Sequence, residues 1–196
     1  VEADVVAGPL LAREAQAAGV VYSLAWGDQP ALICEHVDWA RTCGFEVVCA
    51  GKGTRYHPSY HELTPDSVWE VLQQYLEIDD PTSINMKMFN SFLDGSKSGI
   101  EMSAVCNTTG LTPQDNGLGF PPSSRFDLAN VCKPSEDGGM LSRRGTTEVV
   151  SSLTRCGEPV PHHLAMGTYV VVDGAGDYAR QCFREYHMLQ DSTGRY

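Results

Sequence analysis

Lys52 stands between two glycines at the end of an apolar run, Val47-Val48-Cys49-Ala50-Gly51-Lys52-Gly53. The run predicts a buried strand over Phe45–Ala50, which places the ammonium at the carboxyl edge of a sheet, where ligands of open α/β sheets bind. The glycines allow a tight turn and close approach to a ligand. An ammonium held there can stabilise negative charge on a reacting oxygen and supply a proton to it. The plain alternative is a loop lysine in water.

A second group follows on a helical pattern. Asn90, Asp94, Lys97 and Glu101 fall at i, i+4, i+7 and i+11, which puts them on one face of a helix spanning Met86–Thr109. Gly95 and Gly99 lie inside that span, and each costs ~1 kcal/mol against alanine. Close approach of a ligand or another backbone would justify them. The alternative is a solvated face with an exposed ion pair, worth a few tenths of a kcal/mol. Lys52, Arg55, Lys87 and Lys97 are the only bases between residues 42 and 124 of an acidic chain, so an anionic substrate has few other cations to meet there.

Other candidates are weaker. His57 and His61 are four apart beside Glu62, but Pro58 interrupts the helix that metal ligation at this spacing needs, and no third ligand is evident. His162-His163 follows a Pro-Val-Pro turn and reads as surface. Cys34, Cys49 and Cys106 have apolar neighbours, which predicts inert packing.

The elements that must position these residues read as follows. Ala3–Ala7 is a strand, Pro9–Ala18 a helix ended by Gly19, and Val20–Leu24 a second strand. Asp28 caps a helix with Pro30 in its first turn, running from Ala31 to Thr42, and Phe45–Ala50 is the third strand. This β-α-β-α-β order predicts a parallel, doubly wound sheet. Thr64–Glu77 reads as a helix, Asp79–Asn85 as a polar loop and Asp115–Gly145 as an extended excursion. Glu148–Leu153 and Thr168–Asp173 are strands, and Asp177–Tyr186 is a helix. The fold class is therefore α/β: the later part of a Rossmann-type parallel sheet over residues 1–56, followed by an α+β catalytic domain over 57–196. No G-x-G-x-x-G opens the first unit, and Gly174-Ala175-Gly176 lacks the spacing and context. A three-stranded parallel sheet with exposed edges stands poorly alone, so the chain is expected to be an interior piece of a longer protein.

Of 196 residues, 42% are hydrophobic, enough for one compact domain or somewhat more. With 25 acids against 14 bases the net charge is -11, which disfavours a broad nucleic-acid surface. No apolar run approaches the ~20 residues that cross a bilayer, and the first residues lack the pattern of a signal peptide. Seven scattered cysteines without C-x-x-C suit a reducing cytosol, hence a cytoplasmic location.

The runs Tyr22–Pro30 (YSLAWGDQP), Val47–Tyr56 (VVCAGKGTRY), Met88–Lys97 (MFNSFLDGSK), Glu148–Leu153 (EVVSSL) and Gly167–Val171 (GTYVV) occur in an order that resembles the homoserine-dehydrogenase-like NAD(P) oxidoreductases, in the branch similar to deoxyxylulose-phosphate reductoisomerase that carries SAF domains. The resemblance covers nearly the whole chain. It implies a Rossmann domain whose earlier part, with the phosphate-binding turn, is not in this chain, a catalytic α+β domain, and a C-terminal module that is also not here. It implies NADPH or NADH as cofactor, with Ser23, Gly27 and Lys52 beside it. Lys52, Asp94 and Lys97 take the positions of catalytic residues, and Arg55, Lys87, Asn90, Ser91 and Glu101 are the candidates for binding the substrate beside them. Trp26, His57 and Gly99 depart from the family pattern, and Gln74–Ser83 is divergent. A homo-oligomer is implied for the full-length protein, with a small-molecule substrate.

The leading expectation is a reductoisomerase of a small sugar phosphate or polyol acid. Such a reaction rearranges carbons and then reduces an aldehyde, and its oxyanions are commonly held by a divalent cation, Mg or Mn, with Asp94 and Glu101 as the candidate ligands. A homoserine-type dehydrogenase is the alternative within the class. A non-catalytic scaffold is the alternative outside it, and it predicts that Lys52, Asp94 and Lys97 do not converge.

Overall fold

The computed structural model describes residues 2–77, 80–174 and 176–196. Parts of two expected features, the loop over 79–85 and the Gly174-Ala175-Gly176 run, fall outside these residues. The fold is a mixed α/β arrangement around a small sheet. Its elements are α1 (Glu2–Ala18), α2 (Gln29–Thr42), β1 (Glu46–Thr54), α3 (Trp69–Leu72), α4 (Met86–Leu93), α5 (Ser96–Thr109), α6 (Leu128–Val131), β2 (Thr146–Ser151), β3 (Thr168–Asp173) and α7 (Asp177–Glu185).

The sheet order is β2-β1-β3, with β1 parallel to β2 and antiparallel to β3. The purely parallel unit expected over residues 3–50 does not form. Only its third strand exists, and it is the centre of the sheet, bonded on both sides to strands that come later in the chain. Ala3–Ala7 belongs to α1, and Val20–Leu24 is extended without strand partners. The short apolar run Val5-Val6-Ala7 is ambiguous between strand and buried helix; here it continues into the helix-forming Leu10–Ala18, and Pro9 is accommodated within that helix.

Elsewhere local chemistry set the elements as expected. Asp28 caps α2, accepting the Gln29 N–H at 2.9 Å, and Pro30 lies in the first turn. The β-branched runs give β2, begun two residues earlier than expected, and β3 as expected. The helix expected over Thr64–Glu77 shrinks to turns at 65–68 and the four residues of α3.

One irregularity in β1 decides which way Lys52 faces. Side chains alternate along a strand, yet Val47 and Ala50 share the core against α2 and α5, while Val48 and Cys49 share the core on the opposite face. The register against β3 slips between Val47 and Cys49, a bulge that resets the alternation. Two residues beyond Ala50, Lys52 therefore faces α2 and α5. The strand also runs through Gly51-Lys52-Gly53 to Thr54, so Lys52 lies inside the strand rather than past its end.

Candidate active site

The glycines around Lys52 answer to protein backbone, not to a ligand. A Cβ on Gly51 would lie 1.8 Å from the Glu148 carbonyl oxygen, and one on Gly53 would lie 2.5 Å from that of Leu164. Both residues let neighbouring chain segments close on the strand. Lys52 itself is 4% exposed.

The long helix expected over Met86–Thr109 is broken. The α4 helix ends at Leu93, and α5 begins at Ser96 after Gly95, whose φ of +88° places it in the left-handed region. Asn90 and Asp94 thus stand on one side of the break, Lys97 and Glu101 on the other. Asp94 serves the break. One carboxylate oxygen accepts a hydrogen bond from the Asn90 side-chain amide at 2.8 Å, the other accepts one from the Ser96 N–H at 2.8 Å, and its backbone carbonyl accepts one from His61 Nδ1–H at 2.8 Å. Asp94 makes no ion pair among the described residues. The single polar face of the sequence reading is corrected to two groups, because a φ of +88° ends one helical frame and starts another.

Within α5 the ion cluster forms. The Glu101 carboxylate, on a residue 1% exposed, receives the Lys52 ammonium on Oε2 and the Lys97 ammonium on Oε1. Lys97 is its i,i+4 neighbour, 37% exposed in its side chain, and its ammonium also lies 5.3 Å from the Phe92 ring centre. Lys52 donates a further bond to Gln29 Oε1 at 3.1 Å. Burial lowers the pKa of Lys52, and the hydrogen bond and charge of Glu101 act against that shift. Two ammonium groups around one carboxylate leave one formal positive charge, closed to water on the Lys52 and Glu101 side and open to solvent on the Lys97 side, a suitable receptor for an anionic oxygen.

The remaining predicted residues lie around this centre or apart from it. Arg55, just after β1, stacks its guanidinium 4.4 Å from the Tyr75 ring centre, and its Nε is buried without a hydrogen-bond partner. Asn90 is also buried, with Oδ1 unpartnered. Lys87 is exposed in the first turn of α4, and Ser91 donates to the Met88 carbonyl at 2.6 Å. Gly27, with φ +83°, makes the turn into α2. Ser23 lines a cavity of about 520 Å³ together with Tyr22, Trp26, Ala31 and Cys34; neither Lys52 nor Lys97 lines it. A Cβ on Gly99 would meet nothing within 4 Å, so no close approach explains this glycine.

The histidines are occupied otherwise. His57 caps the turn at Pro58–Glu62 and His61 holds the Asp94 carbonyl, and among the described residues no three His, Cys, Asp or Glu side chains gather as metal ligands. Gln29 was not singled out by sequence, because one glutamine in a turn has no periodicity and no chemistry of its own. Its only signal was membership of the Tyr22–Pro30 run.

Residues 27–196 match the family described as Oxidoreductase DRL, catalytic domain. The match spans most of the chain, and the chain belongs to that family; it is an oxidoreductase catalytic domain. No curated protein matches it. No helix among the described residues is long and apolar enough to cross a membrane.

Proposed function

We propose that this domain interconverts a carbonyl and a CH–OH group with a nicotinamide cofactor, NAD(P)H giving hydride in the reducing direction and NAD(P)+ accepting it in the other, with reductoisomerase chemistry on a small sugar phosphate (deoxyxylulose-phosphate-like) or polyol acid as the leading form. The observation that carries the reading is the Lys52–Glu101–Lys97 cluster, in which residues from a strand and a helix bring two cations to one buried carboxylate.

Reduction of a carbonyl leaves negative charge on oxygen, and a positioned acid must stabilise and protonate it. Lys52, buried and cationic, binds that oxygen. Lys97 reaches solvent and recovers a proton there. Glu101 touches both ammonium groups and passes the proton between them. Arg55 Nε donates to a further substrate oxygen and Asn90 Oδ1 accepts from a substrate hydroxyl; buried polar groups are nearly always satisfied, so these two unpartnered atoms favour a ligand.

The cavity that includes Ser23 has apolar walls and two aromatic residues, Tyr22 and Trp26, which fit a flat heteroaromatic ring of the cofactor; because neither Lys52 nor Lys97 lines it, the adenine end suits it better than the reacting nicotinamide. When bound, the nicotinamide supplies or accepts the hydride. Asp94 and Glu101 do not fit a divalent cation as they stand, since both Glu101 oxygens are bound by ammonium groups and both Asp94 oxygens accept hydrogen bonds.

A screen of sugar phosphates and polyol acids with NADPH and NADH, with products identified by mass spectrometry and NMR, tests the proposal. A reduced product with a rearranged carbon skeleton supports it. Reduction without rearrangement makes the protein a simple dehydrogenase of the homoserine type, and absence of nicotinamide-linked turnover on every substrate contradicts the proposal.

A further inference from the structure

Gln29 is tied at both ends of its side chain. Its Oε1 accepts from the Lys52 ammonium at 3.1 Å, and its Nε2 donates to the Met166 carbonyl at 3.0 Å. A carbonyl only accepts, so the amide nitrogen must face Met166 and the amide oxygen must face Lys52. The start of α2 is itself fixed by the Asp28 cap and by Pro30. The segment carrying Met166 is fastened to β1 immediately after Lys52: Met166 N–H donates to the Gly53 carbonyl at 3.1 Å, and Gly53 N–H donates to the Gly167 carbonyl at 2.9 Å. Met166 holds a φ of +67°, a conformation that side chains other than glycine rarely adopt. Gln29 thus links three pieces of chain that meet at Lys52.

We propose that Gln29 is a positioning residue for Lys52: of the three ammonium protons, Glu101 and Gln29 engage two, and the third is left for a ligand oxygen. The consequence for catalysis rests on the oxidoreductase reading above. Three charged groups face Lys52 besides the amide: Glu101 and Lys97 from α5, and Asp28 from the cap of α2. Glu101 and Asp28 favour its charged form, and Lys97 opposes it. The Gln29 oxygen adds a fixed dipole on the favourable side, so its removal lowers the pH at which Lys52 loses its proton.

The test uses the full chain labelled with 15N-lysine. It has only four lysines, Lys52, Lys87, Lys97 and Lys133, and Lys52→Arg identifies the Lys52 resonance by its loss. In Gln29→Met the Lys52 Nζ titration midpoint shifts to lower pH and its protons exchange faster with water. In Gln29→Glu the midpoint shifts to higher pH. A merely structural role does not move the two variants in opposite directions, and the second variant decides the matter if the first fails to fold. Unchanged Lys52 midpoints in the folded variants overturn the inference. Turnover is read alongside. Gln29→Met lowers kcat by roughly tenfold and moves the pH–rate profile in the same direction as the NMR midpoint. If the midpoint moves and turnover does not, Gln29 holds Lys52 but Lys52 is not in the reaction, and the oxidoreductase reading of Lys52 falls. If Lys52→Met abolishes turnover while Gln29→Met changes neither midpoint nor rate, only the role of Gln29 falls.

Discussion

Lys52 and Lys97 bind opposite oxygens of the same carboxylate, that of Glu101, although one comes from the middle of a strand and the other from the first turn of a helix. The arrangement depends on the bulge at Val47–Cys49, which turns Lys52 toward the helices, and on the break at Asp94–Gly95, which starts α5 where Lys97 can reach Glu101.

Glu101→Leu should destabilise the fold by roughly 3 kcal/mol, because it leaves the buried Lys52 ammonium without its counter-charge. Lys97→Met should cost less than about 1 kcal/mol, since Lys97 is partly solvated and Glu101 keeps Lys52. Urea unfolding of both variants checks the ranking; equal losses would mean that Lys97, not Lys52, is the partner that matters.

The two glycines near the break should respond in opposite ways. Gly95→Ala forces a side chain into φ +88° and places a Cβ 3.2 Å from the Phe120 ring, so a loss of about 1–3 kcal/mol is expected. Gly99→Ala meets no atom within 4 Å in the middle of α5 and should gain about 0.5–1 kcal/mol. Thermal melts settle this, and a destabilised Gly99→Ala would contradict the open surroundings at that position.

The second buried ion pair makes stability depend on pH. Lys133 Nζ lies 2.8 Å from Asp191, whose side chain is closed to solvent. Burial alone would raise the Asp191 pKa, but the bonds from Lys133, Thr193 and the backbone N–H groups of Tyr196 and Arg195 bring it down to about 2. A depressed carboxylate pKa stabilises the fold above the unfolded-state value near 4, and that contribution is lost as pH falls from about 4 toward 2. Lys133→Met should cost about 3 kcal/mol at neutral pH and flatten the acid side of the stability curve. An unchanged slope between pH 4 and 2 would remove Asp191 from the acid response.

Thiol reactivity should divide the seven cysteines. Cys43 and Cys156 are exposed and should react quickly with a disulfide reagent. Cys49 and Cys132 are closed to solvent around the Tyr169 hydroxyl and should react only on unfolding, with burial pushing the Cys49 thiol well up. Mass-spectrometric mapping of modified sites checks it; early modification of Cys49 would contradict the packing of that face.

What was legible in the sequence had a local physical cause. The Asp28 cap and Pro30 place α2, and the β-branched runs before Ser151 and Asp173 give β2 and β3. Charge scarcity pointed to Lys52 and Lys97 among four bases and helical spacing pointed to Asn90, Asp94, Lys97 and Glu101, but the expected carboxylate partner was Asp94; in the structure Glu101 joins the lysines, while Asp94 is held by Asn90 and Ser96. Two features had no local signal: the direction of β3 depends on the path through residues 112–167, and the bulge in β1 appears only against its partner strand. The break between α4 and α5 did have one, since residues 94–99 (DGSKSG) interrupt the apolar spacing and begin with an Asp-Gly pair, but the polar spacing across them carried the reading of one helix. The Val5-Val6-Ala7 run carried the opposite signal, since its β-branched residues sit inside a helix.

The most direct test of the account is steady-state hydride transfer by Lys52→Met, Lys97→Met and the double variant, followed at the nicotinamide absorbance on the substrate that the screen identifies. Each single variant should lose roughly 100-fold or more in kcat, and the double variant should lose less than the product of the two, because both lysines act through Glu101. Near-normal turnover by Lys52→Met, with the fold intact, would contradict the claim that this ammonium meets the reacting oxygen.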